Sequence, residues 1–341
     1  MHALAPFNQA PLTIRTFDGL DDPYHPSVSY FPQGWNGYRF WMTESPFSLE
    51  AVPYRDVNEI PSIHVSQDGI HWEEPPGLIN PIVSMSREDV DKLDYYSDPH
   101  IVMRDNTMEV WYRKTERHGE VGNHEDVSLR KVCSTDGVHW SDEIIINKPQ
   151  QEGSHACVPG LFLCPTLLWN TDGYTMYAVR YRNSENAGSV VVTHSRDGNT
   201  WSDEKLCHLE GAPCQPWHID VQCYDGVYWL VVYDRNRDVI SLWKSTDGIN
   251  FAYVRELLRP SHVRGSFYRC ALYRACLVRV ESRYYLYFTA SDIWDTYIGI
   301  MVGDSPESLE IISVDGEDRG VWEYAYERYR YAARILKYKA G

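Results

Sequence analysis

Four copies of one short pattern run through the chain: VSQDGIHW at 65–72, CSTDGVHW at 133–140, HSRDGNTW at 194–201 and KSTDGINF at 244–251. A degenerate fifth, MVGDSPESLEII, starts at Met301. Recurrence of S-x-D-G-x-x-aromatic marks an array of one supersecondary unit. The steps Asp68-Gly69, Asp136-Gly137, Asp197-Gly198 and Asp247-Gly248 supply the chemistry of a tight turn: glycine takes positive φ and aspartate accepts from nearby amides.

Upstream of each turn lie three strand-like runs. The first are at 25–32, 98–105, 164–170, 218–225 and 273–280, and the aromatic-rich second runs at 38–44, 108–114, 174–182, 227–235 and 284–291. Third runs follow at 59–66, 126–133, 188–195, 238–245 and 296–302. The unit reads as a four-stranded antiparallel blade. The chain is therefore expected to be all-β, a five-bladed β-propeller with blades near 22–75, 95–143, 160–204, 216–255 and 270–313. No linker divides 1–341, so one domain is expected. An open sheet edge invites aggregation. Leu12 to Asp18, or the segment around 320–326, is expected to close the ring, and the Tyr-rich tail reads as a helix or a closing strand.

Composition narrows the function. A chain of 341 residues with 12 Trp and 25 Tyr suits a closed β architecture. Trp41, Trp111, Trp229 and Trp243 fall inside strands, where they fill the space between blades. A net charge of -16 repels phosphate, which argues against nucleic acid or a membrane surface as partner. The opening residues lack the pattern of a signal peptide, and no apolar run reaches the roughly 18 residues needed to span a bilayer. The expected location is cytoplasmic, or phage-encoded and released by lysis. Eight cysteines without a CxxC pair read mainly as reduced, small apolar residues.

The D-G-x-x-W turns, with the strand starts SDPHIV and HPSV, resemble the five-bladed propeller glycosidases, particularly glycoside hydrolase families 43, 32 and 130 and related phage-associated proteins. That resemblance implies an Asp opening blade 1 as base or nucleophile, an Asp opening blade 2 that supports the transition state, and a Glu opening blade 3 as acid. Asp98 matches the second position. The first holds His25, with Asp21 and Asp22 just before it, and the third holds Cys164. The two-carboxylate mechanism does not carry over intact.

Aligned by strand pattern, the residues opening the inner strands are His25, Asp98, Cys164, His218 and Arg274. Two further on stand Ser27, His100, Thr166, Asp220 and Cys276, on the same face of each strand. Ionisable groups in a packed centre need water, a ligand or one another. Second strands end in Glu44, Arg113, Arg180 and Asp234, and third strands begin near Glu59 and Glu125. Glycosidic hydrolysis needs a proton donor and a second carboxylate, so Asp98 pairs with Glu44, Glu59 or Glu125. The catalytic candidates are Asp98, His25, Glu44, Glu59 and His218.

Substrate contacts are expected from Asp22, His100, Glu125, Asp220 and Asp234. Arg113, Arg180 and Arg274 favour an anionic group, and Trp35 and Trp217 are placed to stack on a sugar. No cofactor is required, although His218 and Asp220 could share an axial cation with Asp98. The expected activity is hydrolysis of an oligo- or polysaccharide. A lyase using His25 or His218 with a tyrosine, a phosphorylase or transferase, and a non-catalytic carbohydrate-binding propeller remain open alternatives. Sugar, linkage and oligomeric state stay open as well.

Overall fold

The computed structural model describes residues 10–47, 59–117, 125–146, 162–182, 187–263, 265–292 and 295–312. They form five sheets whose strands run outward in sequence order, except for one added outer strand in blade 4. The inner strands are Ser27–Trp35, Tyr95–Arg104, Phe162–Asn170, Pro216–Tyr224 and Ala271–Val280. Each packs on the next, and the fifth returns to the first, so the sheets circle an axis. The architecture is a five-bladed β-propeller, as the repeats predict.

Blades 2, 3 and 5 have four strands, whereas blade 1 has three and blade 4 has five among the described residues. In blade 1 the outer position shrinks to one bridge between Val65 and Glu73. Pro75 and Pro76 follow at once and cannot donate to a ladder. Blade 4 gains His208–Glu210, which arrives from blade 3 and pairs in parallel with Asn250–Leu258.

The repeated turns link neighbouring blades. In blade 1, Asp68 Oδ1 accepts from the amides of Ile70 and His71 at 2.8 and 2.9 Å, while Gly69 N donates to Ser66 Oγ at 2.9 Å. Blades 2, 3 and 4 repeat the set with Asp136, Asp197 and Asp247. Each turn glycine lies against an aromatic of the preceding blade. A Cβ on Gly137, at φ +77, would sit 2.1 Å from Trp41, so no other residue fits. The same relation closes the circle, because Tyr287 of blade 5 donates to Gly69 O of blade 1 at 2.9 Å. In blade 5 itself a short 3-10 turn, Pro306–Ser308, replaces the Asp-Gly step.

The N-terminal lead also contributes to closure, though not as a strand. Leu12 N donates to Ile298 O at 2.8 Å, and Leu12 and Ile14 are buried with residues of blades 1 and 5. The segment around 320–326 and the Tyr-rich tail lie outside the described residues. Trp41, Trp111 and Trp243 are fully buried, and Trp229 is half-buried. The seven described cysteines are free thiols.

Candidate active site

Near the start of three inner strands stands a residue followed by proline: His25-Pro26, Asp98-Pro99 and Cys164-Pro165. All three take left-handed backbone, with φ +50, +55 and +49. A residue with a Cβ costs about 1–2 kcal/mol there and persists only where its surroundings hold it. In blades 2 and 3 the ladder slips at this point, between Ser97 and His100 and between Leu163 and Thr166. Blade 4 slips similarly just before His218. These irregularities release the ladder where His25, Asp98 and His218 come together on the axis.

Asp98 Oδ2 is fixed by Arg113 Nη1 at 2.8 Å and by Cys164 N at 3.1 Å. Arg113 is itself held by Ser97 Oγ at 3.0 Å. Oδ1 is left facing His218 Nδ1 at 3.3 Å and His25 Nε2 at 3.8 Å. None of these three atoms has an aligned hydrogen-bond partner, although all are buried. Burial pulls the His25 pKa well below its ordinary value, against the opposing pull of Asp98. His218 is lowered for the same reason. Burial alone would raise Asp98, but His218 and Arg113 hold it well below the usual carboxylate range.

Two neutral imidazoles and one carboxylate with convergent, unpartnered atoms form a ligand set. One atom from each of the three residues lies within 4.8 Å of the others. Two nitrogens and one oxygen suit a divalent ion such as zinc, or another first-row transition metal. The residues therefore fit a cation. Asp220 is not among them. Its carboxylate accepts from Thr166 Oγ1 at 3.1 Å and from Leu277 N at 2.9 Å.

Around this cluster, Ser45 Oγ lies 3.0 Å and Glu59 Oε2 3.5 Å from His25 Nδ1. Glu59 keeps 11% of its side-chain surface exposed, against 3%, 1% and 3% for His25, Asp98 and His218. One wall is aromatic. Tyr273 lies 4.1 Å from His218 between ring centroids, Tyr24 lies 4.5 Å from His25, and Tyr24 and Tyr273 are 4.8 Å apart. Trp217 Nε1 donates to the Tyr273 hydroxyl at 2.8 Å. The floor is a bonded layer. His100 reaches Ser27 Oγ at 3.2 Å and Leu167 O at 3.1 Å, and Arg274 donates to Pro99 O at 2.8 Å.

The remaining sequence candidates divide by position. Glu44 turns to His64 at 3.2 Å, and its burial raises its pKa. Among the described residues it makes no hydrogen bond or ion pair with the triad, so the pairing of Glu44 with Asp98 is corrected. Arg113 binds Asp98 rather than offering its charge to an incoming anion. Arg180 is committed to Glu204. Asp22 accepts from Thr296 N at 3.2 Å and so joins blades 1 and 5.

Asp234 accepts from the amides of Asn236 and Arg237 at 3.0 and 3.3 Å and shapes a turn instead of meeting a ligand. Trp35 is corrected too. It ends the inner strand of blade 1, is 7% exposed, and packs on Trp41 in the core between blades 1 and 2. The Glu125 side chain lies outside the described residues. Sequence reasoning missed Ser45, Tyr24 and Tyr273, each of which directly neighbours a residue it named.

The chain is thus a five-bladed propeller related in fold to the family 43 glycosidases. The xylan β-1,4-xylosidase of Bacillus halodurans superposes with a TM-score of 0.57 at 16% identity, over 87% of this chain and 55% of that one. A family 43 β-xylosidase/α-arabinofuranosidase from a compost metagenome gives 0.57 at 12% identity, over 91% and 98% of the two chains. An N-acetylgalactosamine deacetylase from F. plautii, solved with blood group B trisaccharide, superposes with a TM-score of 0.69 at 22% identity, over 87% and 95%. In sequence, the A type blood N-acetyl-α-D-galactosamine deacetylase of Flavonifractor plautii is 29% identical over 362 aligned positions, which take in 90% of this chain. The chain spans 44% of that protein's length. No family model matches the chain.

Proposed function

We propose that this protein is a carbohydrate-active hydrolase that removes the acetyl group from an N-acetylated amino sugar within a glycan. The convergence of His25 Nε2, Asp98 Oδ1 and His218 Nδ1, buried and unpartnered, carries this reading. The likeness to a deacetylase along most of the chain supports it. Cys164, with its pKa pushed by burial up to about 12, offers no acid at the third position of the glycosidase pattern.

His25, Asp98 and His218 would hold the cation. When bound there, such an ion polarises a carbonyl and makes water a better nucleophile near neutral pH. Glu59, the most exposed carboxylate of the cluster, takes the proton of the attacking water. The water oxygen adds to the acetyl carbon, the C–N bond breaks, and the proton passes from Glu59 to the leaving nitrogen. Acetate and a free amino sugar result. Arg113 and Cys164 N keep Asp98 ionised and oriented, while the aromatic wall and floor limit water around the reacting carbonyl.

One observation favours a second reading, glycosidic hydrolysis: Asp98 and Glu59 flank opposite nitrogens of the same imidazole, His25. Incubation with N-acetylhexosamine-containing oligosaccharides separates the two. Acetate release without new reducing ends, abolished by a chelator and restored by a divalent metal, is the expected result. Asp98→Asn should lower the rate by at least about a hundredfold, since even groups that only orient metal ligands cost 10–100-fold. New reducing ends without acetate would overturn deacetylation in favour of glycosidic cleavage.

A further inference from the structure

The inner strand of blade 4 starts beside the triad, and Pro216 pairs with Asp234 at the end of the second strand. The turn after Asp234 therefore stands at the same end of the blade as the triad and forms a rim beside it. Asp234 binds two amides of that turn, and Arg235 N donates to Gln215 O at 3.2 Å, so the rim has a fixed shape. From it the exposed guanidinium of Arg235 lies over the face of Trp217, 4.1 Å from the ring centroid. Trp217 bonds Tyr273, and its ring centroid is 6.3 Å from that of His218.

Arg235 makes no ion pair among the described residues, although its surroundings offer carboxylates. Arg237, in the same turn, pairs with Glu256. Asp238 accepts from Leu272 N, and Asp234 is used by amides. Stacking on tryptophan orients a guanidinium without neutralising it. In a chain of net charge -16, an oriented cation without an ion pair on this rim suits an anionic ligand. The steps of 4.1 and 6.3 Å place it roughly one to two hexose widths from His218.

We infer that the rim formed by Arg235, Trp217 and Tyr273 is a subsite for an anionic sugar, and that the substrate bears a carboxylate on the residue next to the one that reacts. Arg235 meets the carboxylate as a planar fork, while the Trp217 ring beneath it, anchored to the Tyr273 hydroxyl, holds the guanidinium in place. The inference rests on the deacetylase reading for the identity of the reacting residue, but not for the existence of the subsite.

The test uses two disaccharides of the same linkage, an N-acetylhexosamine joined to a hexose or to the corresponding hexuronate. Acetate release at low salt should favour the uronate by about tenfold in kcat/KM, equivalent to about 1.4 kcal/mol. That preference should vanish in Arg235→Ala, reverse in Arg235→Glu and shrink as salt is raised. Arg196→Ala makes the same change in net charge in a remote turn and should leave the preference intact. Equal rates for the two substrates, or a preference that survives Arg235→Ala, would overturn the subsite. If neither compound loses acetate, deacetylation fails, and calorimetric binding decides the subsite separately. A tenfold tighter uronate complex that is lost in Arg235→Ala upholds it, and equal affinities reject it.

Discussion

The two ends of the blades are built on opposite plans. At the end carrying the Asp-Gly turns, four blades repeat the same bonds: serine to glycine amide, aspartate to two amides, and an aromatic from the neighbouring blade against the glycine. At the axial end, equivalent positions hold His25, Asp98, Cys164, His218 and Arg274, with no two neighbouring blades alike. A side chain repeated in register serves an interface that is itself repeated. Four kinds of side chain among five positions meeting at one axis serve no repeated interface and point to something unique to the centre. Loss of repetition therefore marks the candidate site, and repetition marks the scaffold.

The largest effect should come from forcing a side chain into the repeated end. Gly137→Ala combines left-handed backbone with overlap on Trp41 and should destabilise by about 3–5 kcal/mol in urea unfolding. Gly226→Ala, at φ +78 with open space around its Cβ, should cost only about 1–2 kcal/mol. Equal costs would break the claim that the turns hold the blades together.

At the axial end the effect should move from stability to function. His218→Gln is expected to weaken divalent-metal binding and acetate release by about a hundredfold, read by calorimetry and by product assay. A variant with unchanged metal affinity would remove His218 from the ligand set.

Smaller effects sharpen the contrast. Asp68→Ala removes acceptors from two amides and should cost about 1 kcal/mol, as loss of a helix cap does, with activity retained. Asp197 is held at about 2 by the amides of Thr200 and Asn199. Its folded value is depressed, so its stabilising contribution is present above the ordinary value near 3.8 and is lost as pH falls towards about 2. An NMR titration of the Asp197 carboxyl should place the midpoint near the lower figure, and a midpoint near the ordinary one would show the turn to be loose.

Much of the fold was legible because its cause is local. Asp, Gly and an aromatic at fixed spacing dictate the turn wherever they occur, and alternating aromatics dictate the strands. The exceptions were set by what arrives from elsewhere. Blade 4 takes a parallel fifth strand from the blade 3 connection, and blade 1 stops short where Pro75 and Pro76 withhold donors. At the site, Asp98, His25 and His218 could be named because polar residues at strand starts stand out against buried neighbours. Glu44 could not be separated from Glu59 in the same way. Both carboxylates belong to blade 1, but only the position of the chain before the third strand brings Glu59 to His25 and leaves Glu44 with His64.

The sequence by itself determined five similar sheets, because hydrogen-bonded turns and strand periodicity depend on neighbours a few residues away. The tertiary structure decided that two histidines and one aspartate from three blades leave their lone pairs facing one another. It also decided that Arg113 occupies Oδ2 of that aspartate, and that Arg235 stacks on Trp217 beside the cluster. Those relations join residues far apart in the chain, and only closure of the ring about its axis fixes the distances over which charge and hydrogen bonding act.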